Sequence, residues 1–275
     1  MIIPKFKSSL VLVSLAAGLL AISPGARAAS IRWKGYFWSI KSGRHSNPGH
    51  NDWNPNNVFV DTNGFLHLKI SYNTNSGNWD CAGLYTTSRL RFGTYQWEVE
   101  GRLDQLDRYV VLGLFPYAGP PGLNEIDIEY TRWGKAANHD CWWTIYPNSG
   151  TTVARNNASF NLSETYTTSR LTWSSSGVHY WHMGGFQPIG TIANLFAEWN
   201  CASSSPAQNI PQQAMPLHMN LWLYQGHAPA NGQSVEVIIH DFTTTGATNA
   251  ALTWAGDGIY NTGTRLPALT GRKAR

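Results

Sequence analysis

Asn124-Glu125-Ile126-Asp127-Ile128-Glu129-Tyr130 is the stretch from which the rest of the chain is read. Three acids alternate with apolar residues at a spacing of two. On a β-strand that period places Glu125, Asp127 and Glu129 on one face and turns Ile126 and Ile128 to the other, toward a core. Like charges side by side on a sheet are destabilising. A solvated acidic strand is the plain reading. A strand that keeps three such acids against an apolar face also has the composition of a carboxylate-based active site.

Around this strand the pattern is β throughout. Short alternating runs are punctuated by Gly, Asn, Ser and Pro, and helical periodicity is nearly absent. Candidate strands are Gly64–Ser71, Gly93–Leu103, Tyr109–Phe115, Asn124–Tyr130, Trp142–Tyr146, Arg170–Trp173, Val178–Met183, Leu217–Leu223 and Ser234–Phe242. Asp61-Thr62-Asn63-Gly64 reads as a turn, Asn194–Gln213 as a long polar loop, and 246–275 as weakly patterned. Nothing divides the chain after residue 28. The expectation is a single all-β domain over 29–275, an antiparallel two-sheet β-sandwich.

Residues 1–28 read as a secretory signal peptide: Lys5 and Lys7, an apolar run from Ser9 to Ile22, then Ala26-Arg27-Ala28 as the cleavage site. The run is short for a membrane span. The mature protein is therefore expected to be secreted, extracellular or periplasmic, with no membrane attachment. The whole chain carries a formal charge of +4. Three of its 20 basic residues (Lys5, Lys7, Arg27) and none of its 16 acids precede residue 29, so the mature chain carries 17 − 16 = +1. Nothing in that charge suggests a nucleic-acid partner, which would need a basic face.

Only 13% of residues are charged, while Trp alone numbers 13. An exported chain poor in charge and rich in aromatics and Gly suits carbohydrate recognition, although most of the Trp residues belong to the core. Paired carboxylates on a strand are the machinery of glycoside hydrolysis. Glu125 and Glu129 lie roughly 13 Å apart at Cα on a flat strand. Their side chains must lean together over Asp127, which sits where it can separate their proton affinities. Cys81, Cys141 and Cys201 show no metal spacing, and their pairing is open. The nine histidines are scattered and none is assigned to catalysis.

At the acidic strand the sequence resembles glycoside hydrolase family 16, the lichenase- and laminarinase-like enzymes on a concanavalin A-like jelly roll. The resemblance extends over roughly 50–245. Trp79-Asp80-Cys81-Ala82 and Phe92-Gly93-Thr94-Tyr95-Gln96-Trp97-Glu98-Val99 are similar to the two strands upstream of the family's site. Tyr117-Ala118-Gly119-Pro120 precedes the acids as in lichenases, and Met219-Asn220-Leu221-Trp222 is similar to a cleft-lining strand. The resemblance implies a β-jelly roll with a substrate cleft on the concave sheet and a secreted, retaining endo-β-glycanase. It implies Glu125 as nucleophile, Glu129 as acid/base and Asp127 as supporting acid, with Asn220 and Trp222 lining the cleft. Trp133, Trp142 and Trp143 are further aromatics near the acids, as sugar platform or as packing.

The chain also departs from lichenases. Gly83 and Tyr85 stand where they carry a charged sugar-binding pair, and His50-Asn51-Asp52-Trp53 stands where their N-terminal cysteine lies. These departures point to a neutral β-glycan other than mixed-linkage glucan, a β-1,3-glucan first, with Tyr85 at the substrate. No cofactor is expected. A structural calcium occurs in parts of the family, but no calcium loop is evident here. The expected partner is a polysaccharide and the expected state a monomer. Transglycosylation on the same site, or a non-catalytic carbohydrate-binding jelly roll, are the alternatives.

Overall fold

A computed structural model describes residues 29–247. The expected signal peptide and the chain beyond 247 lie outside the described residues. In chain order the strands are β1 (Ser30–Trp33), β2 (Tyr36–Ile40), β3 (Gly43–Ser46), β4 (Asn51–Trp53), β5 (Val58–Val60), β6 (Leu66–Asn73), β7 (Asn78–Leu90), β8 (Gly93–Glu100) and β9 (Val110–Pro116). They continue with β10 (Glu125–Tyr130), β11 (Cys141–Tyr146), β12 (Ala154–Ala158), β13 (Tyr166–Trp173), β14 (Gly177–Gly184), β15 (Leu195–Ala202), β16 (Met215–Leu223) and β17 (Val235–Thr245).

These strands form two facing sheets. The first runs β12-β11-β10-β9-β16-β7-β2-β1. The second runs β5-β6-β17-β8-β13-β14-β15. The hairpin of β6 and β7 joins them, because its strands pair only near the turn, from Ser71–Asn73 to Asn78–Asp80, and then diverge. The pairing is antiparallel except where β4 lies parallel to β7, Asp52 opposite Asp80 and Trp53 opposite Cys81.

The core fills the space between the sheets. Ile126, Ile128 and Tyr130 project into it from β10 and are wholly buried. Burying each aliphatic side chain contributes about 1.5–3 kcal/mol. From the second sheet come Tyr95, Trp97, Val99, Leu171, Trp173 and Tyr180. One polar network crosses this core. Tyr130 Oη hydrogen-bonds His182 Nδ1 and lies 2.7 Å from Ser169 Oγ, and Trp143 Nε1 donates to His182 Nε2 at 2.7 Å. Burial pushes His182 down to about 3, so the ring is neutral and serves as acceptor for the indole.

One reading of the sequence changes, and one left open is decided. The polar stretch Asn194–Gln213 is not a loop throughout: it holds β15 and a single helical turn at Pro206–Asn209. Only Ala197 of β15 is buried, because the strand forms the sheet's edge, and an edge strand carries no apolar alternation. Trp143 is packing, 1% exposed between Tyr180, His182 and Trp199. Among the described residues no helix is long and apolar enough to cross a membrane.

Candidate active site

The outer face of the first sheet carries the acids. β10 places Glu125, Asp127 and Glu129 there, and its start is set by Asn124. That residue takes a left-handed φ of 52°, which Asn tolerates. Its backbone N–H donates to Pro147 O and its carbonyl accepts from Ala118 N, both at 2.9 Å. Asp127 is buried and the two glutamates are half-buried.

Register then brings distant strands to the acids. On one side, β11 puts Tyr146, Thr144 and Trp142 opposite Glu125, Asp127 and Glu129. Arg155 of β12 lies opposite Thr144. On the other side Glu129 faces Gly113 of β9, Gly113 faces Asn220 of β16, and Asn220 faces Gly83 of β7. One step along, Phe115, His218 and Tyr85 form a second row. Their rings follow one another at 5.1 and 5.3 Å, tilted by only 17° and 23°. Burial and the Lys41 charge hold His218 down to about 3, so this row is uncharged.

Burial raises all three carboxylates. Glu125 is pushed up to about 8, first by desolvation and then by the charge of Glu129. Asp127 is raised well above the usual range by desolvation and by both glutamates. Glu129 is raised to about 7 by desolvation, with Arg155 opposing. The acids therefore share protons near neutrality, the condition under which one carboxyl donates a proton while another is ionised.

This has a cost in stability. A carboxyl whose folded pKa lies above its unfolded value binds more protons in the folded state, so its contribution falls as pH rises between the two values. Glu125→Gln and Glu129→Gln should each be more stable than the native protein. The gap should be absent near pH 4 and widen to on the order of 1 kcal/mol by pH 8. Urea midpoints at pH 4, 6 and 8 check this, and a gap that narrows with rising pH would refute it.

The other sequence-derived site residues are brought to this face in different ways. Trp142 is half-buried beside Glu129, its indole N–H shared between Thr131 O and His139 O at 3.2 Å. Asn220 is buried next to Gly113, and its Oδ1, shielded from solvent, has no hydrogen-bond partner. Tyr85 is half-buried in the ring row. Trp222 is 7% exposed, packed edge-on against Trp133 at 6.3 Å, so it supports the rim more than it presents a face. Trp133 has a φ of 47°, strained for a bulky residue, and leans also on Tyr224 at 5.3 Å.

Sequence reasoning missed Gly113, Phe115, Arg155 and His218, which only register assembles. The alternation of His218 with Asn220 and Trp222 was the one available signal. The three cysteines are unpaired. Cys81 Sγ donates to Asn51 Oδ1 at 3.4 Å. Among the described residues no cluster suited to a metal ion is present. A cavity of about 220 Å³ bordered by His50, Asp52 and Trp79 lies beside β4 and does not include the acids.

Neither a family model nor a curated protein matches the sequence. Solved structures do match. A β-glucanase of Bacillus licheniformis aligns with 75% of this chain and 90% of its own, at 20% identity and a TM-score of 0.54. The fold is that of the family 16 β-glucanases. A Mycobacterium tuberculosis protein, described as an immunostimulatory antigen and pseudo β-1,3-glucanase, aligns over 75% of this chain and 90% of its own, at 18% identity and a TM-score of 0.56. A family 16 protein from a Bacteroides ovatus mixed-linkage glucan locus, in complex with a product, aligns over 76% of this chain and 94% of its own, at 13% identity and a TM-score of 0.54. Among these neighbours the β-jelly roll is common ground.

Proposed function

We propose that this protein is an exported, retaining β-glycan hydrolase. The observation that carries this reading is the row of three burial-raised carboxylates on the outer face of the sheet, with a half-exposed Trp at one side. Glu129, protonated, would give its proton to the glycosidic oxygen while the Glu125 carboxylate attacks the anomeric carbon and the leaving sugar departs. Water would then attack the glycosyl ester, losing its proton to Glu129 and releasing Glu125. Asp127, between them, would hold the pair apart in proton affinity. A structural neighbour named as a pseudo-glucanase keeps a non-catalytic binder in view, but a binder has no use for three acids held at the cost of stability.

One observation favours the reverse roles. The Arg155 charge stabilises ionised Glu129, and ionised Glu129 disfavours ionised Glu125. In the empty site Glu129 is thus the readier to ionise, and the variants discussed below decide between the two assignments.

The substrate class we propose is a neutral β-glucan, β-1,3-linked first. Gly83 carries no side chain to hold sugar hydroxyls, and Tyr85 lies in an uncharged ring row. Each charged hydrogen bond lost at those positions costs about 1.5–3 kcal/mol, and ring stacking tolerates more than one hydroxyl pattern. Initial rates of reducing-sugar release on laminarin, lichenan, xyloglucan and agarose test this. Laminarin should be the best substrate, and a preference for lichenan would overturn the specificity. Proton NMR of the first product should report the β-anomer, and an α-anomer would overturn retention.

A further inference from the structure

The cavity of about 220 Å³ beside β4 is assembled from parts of the chain that are distant in sequence. β3, β4 and the turn between them bring His45, His50 and Asp52. The β6–β7 hairpin brings Asn78 and Trp79, and the segment after β16 closes the remaining side at Ala228. Two side-chain amides tie these segments together. Asn51 Nδ2 donates to Leu223 O at 2.9 Å and holds β4 to the end of β16. Asn78 Nδ2 donates to Asp52 Oδ2 at 3.1 Å and holds the hairpin to β4.

Asp52 is the one buried charge on this wall, 6% exposed. Its Oδ1 accepts from His45 N at 2.9 Å and its Oδ2 from Asn78. A carboxylate has about four acceptor sites, so about two remain for a ligand's hydroxyls. Among the described residues no lysine or arginine pairs with it; the nearest cationic candidate is His45 Nδ1, at 3.8 Å. The His50 imidazole stands exposed at the rim and makes no hydrogen bond among the described residues. Trp79 is half-buried, and Tyr72, directly opposite it across the hairpin, meets it edge-on at 5.5 Å. That ring pair stabilises the hairpin. It does not account for an indole and a buried carboxylate bordering one cavity whose rim, at Gly77 and Ala228, is exposed.

We propose that this cavity is a second glycan-binding site, separate from the acid row, that takes one neutral hexopyranose unit. An apolar wall with a few placed polar groups is the composition of a small-molecule site. The C–H face of a sugar ring packs on the Trp79 indole, and its hydroxyls donate to the open lone pairs of Asp52 and pair with the rim imidazoles. A second point of attachment raises the hold on a polymer without changing the reaction of a short substrate. The inference rests on the glycan-binding reading above and adds a place of attachment that the acids do not supply.

The test is an amide NMR titration of the Glu125→Gln protein, which binds without turnover, with linear β-1,3- and β-1,4-glucan hexasaccharides. The amides of Gly77, Trp79 and Ala228 should shift and saturate, along with those of β10 and β11. Shifts confined to β10 and β11 overturn the second site and leave the glycan reading standing. No shift anywhere overturns both, and shifts confined to the cavity support the site while counting against the hydrolase reading alone. Trp79→Ala should erase the shifts at Gly77 and Ala228. It should also weaken retention on insoluble β-1,3-glucan by about tenfold or more, with the rate on a short aryl glycoside unchanged. Tyr72→Ala removes the hairpin's ring pair but no cavity wall, and should keep the shifts. Their persistence in Trp79→Ala, or their loss in Tyr72→Ala, would overturn the site, and a fall in the aryl glycoside rate would overturn its separation from the acids. If Trp79→Ala does not fold, the titration of Glu125→Gln decides by itself.

Discussion

Glu125→Gln should abolish turnover of polysaccharide, lowering kcat by at least about a thousandfold, because it removes the carboxylate assigned to form the glycosyl ester. Glu129→Gln should cost about 10²–10⁴-fold on polysaccharide, the contribution typical of a positioned general acid. On an aryl glycoside whose leaving group needs no proton, the first step of Glu129→Gln should recover while Glu125→Gln stays inactive. Asp127→Asn should impair the reaction less than Glu125→Gln. Initial rates of the three variants on both substrates check this. The opposite pattern, with recovery in Glu125→Gln, would assign the roles as the Arg155 charge favours. Full activity of Glu125→Gln on polysaccharide would end the two-carboxylate mechanism here.

The second large effect concerns stability. Trp143→Ala should destabilise the fold by about 3–5 kcal/mol, the usual cost of emptying a buried aromatic site. The loss includes the indole hydrogen bond to His182, whose Nε2 would be left buried beside Cys141. Trp142→Ala, one residue away, should cost about 1 kcal/mol and act mainly on substrate affinity. Urea unfolding of the two variants separates them. Equal destabilisation would mean that Trp142 is as much part of the core as its neighbour.

That pair shows where sequence reading stops. Period two says that Trp142 and Trp143 face opposite ways, but not which one faces the acids. The register of β11 on β10 decides it, by setting Trp142 opposite Glu129 and Trp143 opposite Ile128. The same holds for β16, where alternation groups His218, Asn220 and Trp222, and only pairing with β9 and β7 places them in rows with Gly113 and Gly83. Arg155 was invisible because β12 is a polar strand with no apolar face to reveal it.

The strand Glu125–Tyr130, its acidic face and its apolar face were determined by the sequence itself. Strict alternation leaves a strand one way to bury its isoleucines, and burying them puts the acids out together. The all-β architecture followed for the same reason, repeated along the chain. The packing of Trp53 on Gly83 was decided only by tertiary structure. Lys41, Trp53 and Gly83 are far apart in sequence, and the parallel contact of β4 with β7 that joins them has no local signature. A glycine in a strand reads as a weak spot until the ring that occupies its missing side chain is in place.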